Sequence, residues 1–256
     1  MNGVDAPVML LAGGTGSIGS AIAVNAINAG WRVALHGSSK DTIQAAIDRL
    51  LAAGMPAGHM KGFAADIRQP DAIESLVGQA TAWADRIDAA VDCVSTGPNA
   101  KIPGLFAQTD PTGFGSLMDL SISHLQRLTH AVLPWLARRG GTLIAFASDA
   151  GRFAAPHQSL IGTSRAAIIG FVRNLAVEVA RDAVRVHCVC PSFVEGTASA
   201  QRMAVQNGAR LESARRRAGL GLPTPADIAP LVLFLCSEHA RRITGQIISI
   251  NGGMNA

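Results

Sequence analysis

The chain contains no tyrosine, although it has 256 residues, eight phenylalanines and three tryptophans. A phenol is therefore excluded as the proton donor in any reaction that this protein carries out. Charge is also scarce, because only 16% of the residues are charged, against about a quarter in an average soluble protein. Since 48% of the residues are hydrophobic, the sequence excludes extensive disorder and predicts a chain that buries a core of its own.

Metal-binding and disulfide patterns are missing as well. The four cysteines, Cys93, Cys188, Cys190 and Cys236, lack the spacing of a metal site and are typical of a reducing compartment. The 22 basic and 18 acidic residues give a net charge of +4 that is spread along the chain, which disfavours a nucleic-acid partner. No basic segment precedes the first apolar stretch, and no apolar run reaches the ~18 residues of a membrane span. We therefore expect a soluble, cytoplasmic protein that binds neither nucleic acid nor membranes.

Short apolar runs alternate with helical patterns from one end of the chain to the other. Seven runs have strand character: residues 8–11, 32–35, 62–65, 89–91, 143–146, 184–190 and 247–250. Periodicity predicts long helices over residues ~112–138 and ~159–181, and a helix start at 224–227. Alternation of this kind predicts an α/β protein: a three-layer, doubly wound Rossmann fold with a seven-stranded parallel sheet. Residues 1–256 are expected to form one domain with a small substrate-loop segment near residues 193–222.

A glycine-rich turn follows the first predicted strand. Residues 14–19 read G-T-G-S-I-G and match the G-x-G-x-x-G pattern between a strand and a helix. Glycines let the backbone amides approach a pyrophosphate at the positive end of the helix. The pattern predicts a dinucleotide site formed by Gly13, Thr15, Gly16, Ser17, Ile18 and Gly19. The alternative is a tight turn without a ligand.

The end of the second predicted strand bears on which dinucleotide binds. A carboxylate there would hydrogen-bond the ribose hydroxyls of NAD and repel the 2′-phosphate of NADP. Residues 36–40 instead read H-G-S-S-K, so Ser38, Ser39 and Lys40 are candidate ligands of a 2′-phosphate. This segment favours NADP over NAD. The alternative is that Ser39 only caps the next helix and Lys40 is only solvated.

Further motifs follow in order along the whole chain. They are the glycine turn, Asp66-Ile67, A-V-L-P at 131–134, the strand ending at Ser148, P-S-F-V at 191–194, T-G-Q at 244–246 and N-G-G at 251–253. Together they resemble the short-chain dehydrogenase/reductase family in its compact form. The resemblance implies that Asp66 and Ile67 contact the adenine and that Pro191 belongs to the cofactor site. It also implies a homodimer or homotetramer built through the two long helices.

The resemblance breaks at the catalytic residues. The family uses a serine that polarises the carbonyl, a tyrosine that transfers the proton, a lysine and an asparagine. Ser148 matches the serine, whereas Ile161, Arg165 and Ser121 stand where the tyrosine, lysine and asparagine would be. Ile161 has no ionisable atom, and Arg165 stays protonated, so it could hold ribose hydroxyls but would be a poor acid or base. Ordinary ketone reduction is therefore not expected.

Other side chains could supply the proton. Asp149 follows Ser148 directly, and His157 precedes the Ile161 helix; their alternatives are a turn cap and a solvated loop residue. His124 and His130 are interpreted as packing or oligomer-face residues. Four arginines at positions 210, 215, 216 and 217 could attract an acidic or thioester-linked small-molecule substrate, or could simply form a solvated helix face.

Three functions remain open from the sequence. The first is an NADP-dependent oxidoreductase that transfers hydride to an activated acceptor, or that uses a non-standard proton donor. The second is a catalytically inactive dinucleotide-binding or partner subunit. The third is a redox-free isomerase or lyase on the same fold.

Overall fold

The computed structural model describes residues 5–95 and 104–255. These residues form a seven-stranded sheet in the order β3-β2-β1-β4-β5-β6-β7, and its neighbouring strands are parallel. The strands are β1 (Val8–Ala12), β2 (Arg32–Gly37), β3 (Met60–Ala64), β4 (Ala89–Asp92), β5 (Thr142–Phe146), β6 (Arg185–Pro191) and β7 (Ile247–Ile250). The seven-stranded parallel sheet predicted from the sequence is therefore confirmed.

Helices cover both faces of the sheet. They are α1 (Ser17–Asn28), α2 (Lys40–Ala52), α3 (Pro70–Ala84), α4 (Phe114–Met118), α5 (His124–Leu136), α6 (Ser159–Glu178), α7 (Ala198–Arg217) and α8 (Pro225–Cys236). Helix α1 packs on α8 over one face, and α3 packs on α5 over the other, next to α6. This three-layer arrangement confirms the doubly wound Rossmann fold.

The strands read as continuous apolar runs because both of their faces are buried. In β1, Leu10 belongs to the core beneath α3, α5 and α6, whereas Met9 and Leu11 belong to the core beneath α1 and α8. Successive side chains of a strand point to opposite faces, so one run fills two cores. The carboxyl ends of all seven strands consequently meet at one edge of the sheet, where the glycine turn and Ser148 lie.

Two predicted helices differ from the structure. The helix expected over residues ~112–138 is divided into α4, a π-helical turn at Asp119–Ser123, and α5. Periodicity cannot reveal such a turn, because one extra residue per turn leaves the apolar pattern readable on either side. The helix expected to end near ~181 ends at Glu178, where the 3₁₀ turn Ala180–Asp182 takes over.

Helix α6 is long and apolar enough to cross a membrane by length and composition, which the sequence reading did not anticipate. It packs along β5 and β6 in the structure, as the core helix of a doubly wound fold does. Its exposed residues include Val177, which is 79% accessible. Among the residues that the structure describes, one helix meets these criteria, and core helices of soluble proteins meet them too, so α6 is weak evidence of a membrane span.

Helix α7 lies within the predicted substrate-loop segment. It contains a break at Asn207, whose φ of −156° and ψ of 70° are not helical. Thr197 caps its start by accepting a hydrogen bond from the N–H of Ala200. The segment is thus mostly helical rather than an irregular loop.

Candidate cofactor and active site

The glycine turn after β1 is shaped by close backbone contacts. Gly13 has a φ of +71°, and a Cβ on it would lie 2.9 Å from the backbone of Cys93. A Cβ on Gly19 would lie 2.6 Å from the Cα of Gly14. Gly16 differs, because the nearest atom to its added Cβ is 3.6 Å away. Gly13 and Gly19 are therefore required by the fold, whereas Gly16 keeps space open above the turn.

The start of α1 is free to receive an anion. Gly16 and Ser17 are exposed, and Thr15 and Ile18 are partly exposed. Within the part of the chain that the structure describes, no side chain caps this helix end, and its first turn contains no acidic residue. Uncapped backbone N–H groups and the helix dipole attract negative charge. The predicted residues of the turn therefore fit the pyrophosphate of a dinucleotide.

His36 is part of this turn, a role that sequence reasoning missed. The N–H of Gly13 donates to Nδ1 of His36 at 3.1 Å, and the N–H of Gly14 donates to the carbonyl of His36 at 3.0 Å. The other ring nitrogen, Nε2, lies 3.0 Å from the carbonyl oxygen of Ala65. Burial lowers the pKa of His36 below its ordinary value. This one side chain thus links the ends of β1, β2 and β3.

The structure gives Ser39 the capping role that was predicted as the alternative, and its contact with a 2′-phosphate stays a prediction. Its Oγ accepts a hydrogen bond from the N–H of Thr42 at 3.2 Å, and Thr42 reciprocates in a capping box at the start of α2. The hydroxyl is used by the cap, because a serine at this position satisfies an N–H group that the helix leaves free. Ser38 and Lys40 are exposed at the same place.

Sequence reasoning also missed a cationic side chain, Arg49, that contacts the glycine turn. Arg49 lies on α2, and its Nη2 donates to the carbonyl oxygen of Thr15 at 3.1 Å. The contact brings a guanidinium to the rim of the glycine turn. A local motif could not reveal it, because the two residues are 34 positions apart.

The residues expected near the adenine have other contacts. Asp66 and Arg68 form an ion pair of 2.7 Å, and its hydrogen bond lowers the pKa of the Asp66 carboxyl. Ile67 packs in the core, and Pro191 is buried at the end of β6 opposite Ile250. Their cofactor contacts stay predictions.

Ser148 caps the 3₁₀ turn Asp149–Gly151, here called the Ser148 turn, and this turn packs tightly against helix α6. Ser148 Oγ accepts a hydrogen bond from the N–H of Ala150 at 3.3 Å. A Cβ on Gly151 would lie 2.7 Å from the backbone carbon of Arg165, and one on Gly162 would lie 2.8 Å from the carbonyl oxygen of Ala150. The structure therefore brings Ser148 to the helix segment that carries Ile161 and Arg165, as the motif order predicted.

Asp149 does not have the surroundings expected of a proton donor. Its side chain is only 3% exposed, and its carboxylate accepts hydrogen bonds from the Ser249 hydroxyl, from Asn251 Nδ2 at 2.5 Å and from Asn255 Nδ2 at 3.3 Å. These three donors come from β7 and the segment after it. The structure favours a structural role, in which Asp149 ties the Ser148 turn to the end of the chain.

His157 lies in the turn before α6 and is exposed. Its φ is +63°, a left-handed conformation that is uncommon for residues other than glycine. Its carbonyl oxygen accepts a hydrogen bond from the N–H of Gly104 at 3.3 Å. Its role as a proton donor stays a prediction.

A buried ion pair joins the end of β4 to the start of α5. Nε2 of His124 is 2.9 Å from Oδ2 of Asp92, and both side chains are buried. Burial favours the neutral imidazole, but the charge and hydrogen bond of Asp92 outweigh it and raise the pKa of His124. The packing interpretation of His124 therefore holds in the form of an ion pair, whereas an oligomer-face role is wrong for it. His130 is exposed.

Arg165 and Ser121 complete this buried cluster. Burial lowers the pKa of Arg165, and the charge of Asp92 opposes that effect. Ser121 is fully buried in the π-helical turn, and its Oγ has no hydrogen-bond partner among the residues that the structure describes. The π-helical turn that carries Ser121 packs against α6, which carries Arg165, so the two positions predicted to replace the family's asparagine and lysine lie in neighbouring elements.

The arginines of α7 do not form one cluster. Arg215 pairs with Glu195 at 2.9 Å and with Glu212 at 2.6 Å, so its charge is compensated. Arg210 lies over the ring of Phe193 with 5.9 Å to its centroid, and Arg217 contacts Met254. Arg216 is exposed. Three of the four arginines, Arg210, Arg215 and Arg217, therefore contact the segments that follow β6 and β7.

Comparison with known proteins shows which family the chain belongs to. Residues 12–255 match the family model described as enoyl-(acyl carrier protein) reductase. Nodulation protein G of Rhizobium meliloti (strain 1021) is 30% identical over 248 residues, which cover 96% of this chain and 95% of that protein. Dehydrogenase/reductase SDR family member 4 of Bos taurus is 28% identical and covers 98% of this chain and 88% of that protein. The chain belongs to the short-chain dehydrogenase/reductase family.

A solved member of the family also holds a cofactor. A single-substitution variant of actinorhodin polyketide ketoreductase with NADPH superimposes with a TM-score of 0.87 at 25% identity, over 98% of both chains. Members of this family are oxidoreductases that bind a nicotinamide dinucleotide. The open space at Gly16 and the uncapped start of α1 fit such a group in this chain.

Proposed function

We propose that the protein is an NADP-dependent oxidoreductase that transfers hydride to an activated acceptor. The proposal rests on two observations taken together. The start of α1 is uncapped and suits a pyrophosphate, and the chain keeps Ser148 but has no tyrosine. The cofactor, when bound, supplies the hydride. The residues of the chain must orient the acceptor and stabilise the charge that develops on it.

The preference for NADP rests on the charges around the glycine turn. The end of β2 carries no carboxylate, and Lys40 is exposed beside it. Arg49 reaches the same rim through Thr15. An ammonium and a guanidinium at this place favour a 2′-phosphate over ribose hydroxyls.

The chemistry of the acceptor follows from the missing proton donor. Ser148 can act as a donor, because its Oγ uses an acceptor position for the N–H of Ala150 and a hydroxyl has an O–H besides its acceptor lone pairs. A hydroxyl polarises a carbonyl but does not readily give up its proton at neutral pH. Iminium, quinone-like and conjugated enone acceptors need less proton assistance than an isolated ketone. The family description names an enoyl reductase, which agrees with a conjugated acceptor.

We further propose a homodimer or homotetramer in the cytoplasm. The described cysteines are free thiols, which suits a reducing compartment. Helix α6 leaves Val177 exposed, and an apolar side chain on a long helix suits a contact between subunits. Arg210 and Arg217 would favour an acidic or thioester-linked small-molecule substrate.

The test begins with calorimetric titration of the purified protein with NADPH and NADH. We expect NADPH to bind at least tenfold more tightly, on the order of the contribution of one charged hydrogen bond. Lys40→Ala and Arg49→Ala should weaken NADPH and leave NADH unchanged, whereas the exposed Arg173→Ala serves as the control. Absence of binding to either nucleotide would overturn the proposal.

Turnover separates the proposed chemistry from its alternatives. Isolated ketones and conjugated enones are offered with NADPH, and loss of its absorbance is followed. We expect oxidation of NADPH with enones and little with ketones, and Ser148→Ala should reduce it about 100-fold. Tight NADPH binding without turnover of any acceptor would favour an inactive binding subunit instead.

A further inference from the structure

The hydrogen bonds of His36 define its tautomer. A backbone N–H can only donate, so Nδ1 of His36 must accept the bond from Gly13 at 3.1 Å. A carbonyl oxygen can only accept, so Nε2 must carry the hydrogen that faces Ala65 at 3.0 Å. The imidazole is therefore neutral, with its proton on Nε2.

The surroundings of His36 support a neutral ring. Its side chain is 3% exposed, and burial is the largest influence that lowers its pKa. Two other titratable groups act on it: Asp92 at the end of β4 favours the proton, and His124 at the start of α5 disfavours it. Because His124 itself carries a raised pKa, its positive charge opposes a second positive charge on His36.

We propose that His36 is a positioning residue of the cofactor site, whose neutral ring holds the glycine turn in its binding shape and whose protonation releases it. The inference rests on the proposed nucleotide site. Protonation would place a hydrogen on Nδ1, directly opposite the N–H of Gly13, so two donors would face each other. The turn would then have to move, and Gly13 and Gly14 begin the segment that leads to the uncapped start of α1. Binding of the dinucleotide is thereby coupled to pH through a residue that does not touch it.

The first experiment measures NADP⁺ binding by calorimetry from pH 8 downward, over the range in which circular dichroism shows the native fold. We expect the dissociation constant of the unmodified protein to rise by up to about tenfold for each pH unit below the pKa of His36. The 2′-phosphate of the ligand also titrates near pH 6, so a variant without the histidine is needed to separate the two.

Two substitutions make that separation. The Oδ1 of asparagine occupies the place of Nδ1, so His36→Asn keeps an acceptor for Gly13 and removes the titration. We expect this variant to bind NADP⁺ as the unmodified protein does at pH 8 and to retain only the pH dependence of the ligand. His36→Leu removes the acceptor and should bind about tenfold more weakly at every pH. His59→Asn is the control, since His59 hydrogen-bonds Trp31 away from the turn.

A second measurement does not depend on the nucleotide. The ¹⁵N shifts of the His36 ring should show an unprotonated Nδ1 and a protonated Nε2 at neutral pH. The Gly13 amide should exchange faster as the ring titrates. An Nδ1-protonated tautomer, or an unchanged acid dependence of NADP⁺ binding in His36→Asn, would overturn the inference. Failure of the unmodified protein to bind any nucleotide would overturn the proposed function, whereas the ring shifts would still report on His36.

Discussion

Asp92 Oδ2 lies 2.9 Å from Nε2 of His124, and both side chains are buried at the carboxyl edge of the sheet. The carboxylate also interacts with the charge of Arg165, so one anion balances two cations. Buried charges are tolerated when they compensate one another in this way. The pair therefore stabilises the region between β4, α5 and α6 that supports the Ser148 turn.

Removing the anion should be costly. Asp92→Asn leaves His124 and Arg165 without their counter-charge, and we expect the free energy of unfolding to fall by about 3 kcal/mol. Urea denaturation at pH 7 measures it, and Asp182→Asn on an exposed turn is the control. A loss no larger than that of the control would show that the pair contributes little.

The same pair predicts a pH dependence of stability above neutrality. The pKa of His124 is raised in the folded protein, so its contribution is fully present below the ordinary histidine value near 6.5. This stabilisation is lost as the pH rises through the raised pKa of His124. The folded state then gives up a proton that it holds more tightly than the unfolded state does. Unfolding free energies measured upward from pH 6.5 should decline in the unmodified protein and stay flatter in His124→Asn.

His187 predicts the opposite behaviour in acid. Burial, together with the nearby Arg185, lowers the pKa of His187 to about 4. The unfolded chain therefore takes up a proton near pH 6.5 while the folded chain does not, and stability falls as the pH drops from 6.5 towards 4. At about 1.4 kcal/mol for each pKa unit, the loss is up to about 3 kcal/mol. Urea titrations at several pH values should show a smaller loss in His187→Gln than in the exposed control His239→Gln.

We predict that Asp149 stabilises the fold and does not act as the proton donor. Asp149→Ala removes the acceptor of Ser249, Asn251 and Asn255, and we expect a loss of about 3 kcal/mol in unfolding free energy. Asp149→Asn keeps part of the network and should lose less. With a substrate in hand, the pH profile of kcat should be the same for Asp149→Asn and the unmodified enzyme. A shifted profile would restore Asp149 as the proton donor.

Two glycines of the turn should respond differently to alanine. Gly13→Ala introduces a Cβ 2.9 Å from the Cys93 backbone at a φ of +71°, so the melting temperature should drop by several degrees. Gly16→Ala meets nothing closer than 3.6 Å and should melt as the unmodified protein does. Gly16→Ala should nevertheless weaken nucleotide binding about tenfold or more, because its methyl group occupies the space that the pyrophosphate needs above the glycine turn. Thermal melting and calorimetry of both variants test the contrast.

The fold followed from short stretches of sequence. Strand β7 was predicted over the residues that form it, because four apolar or small residues bounded by glycines define a buried strand locally. The start of α8 was equally local, since Thr224 and Asp227 form a capping box beside Pro225. The π-helical turn at Asp119–Ser123 was missed, because its extra residue leaves no mark on the apolar period.

The candidate site was predictable only in part. The glycine turn and Ser148 carry motifs and were found, and the helix-capping alternative was correct for Ser39. The contacts Gly13–His36, Thr15–Arg49, Asp92–His124 and Asp149–Asn251 join residues 23, 34, 32 and 102 positions apart. No local pattern encodes such pairs.

By itself the sequence determined the layered sheet, the glycine turn and the lack of a phenol, since periodicity, glycine spacing and composition are properties of neighbouring residues or of simple counts. The tertiary structure alone decided which polar side chains work together. Parallel strands converge at their carboxyl ends, so residues remote in the chain share one buried region, and burial then decides which of them carry charge.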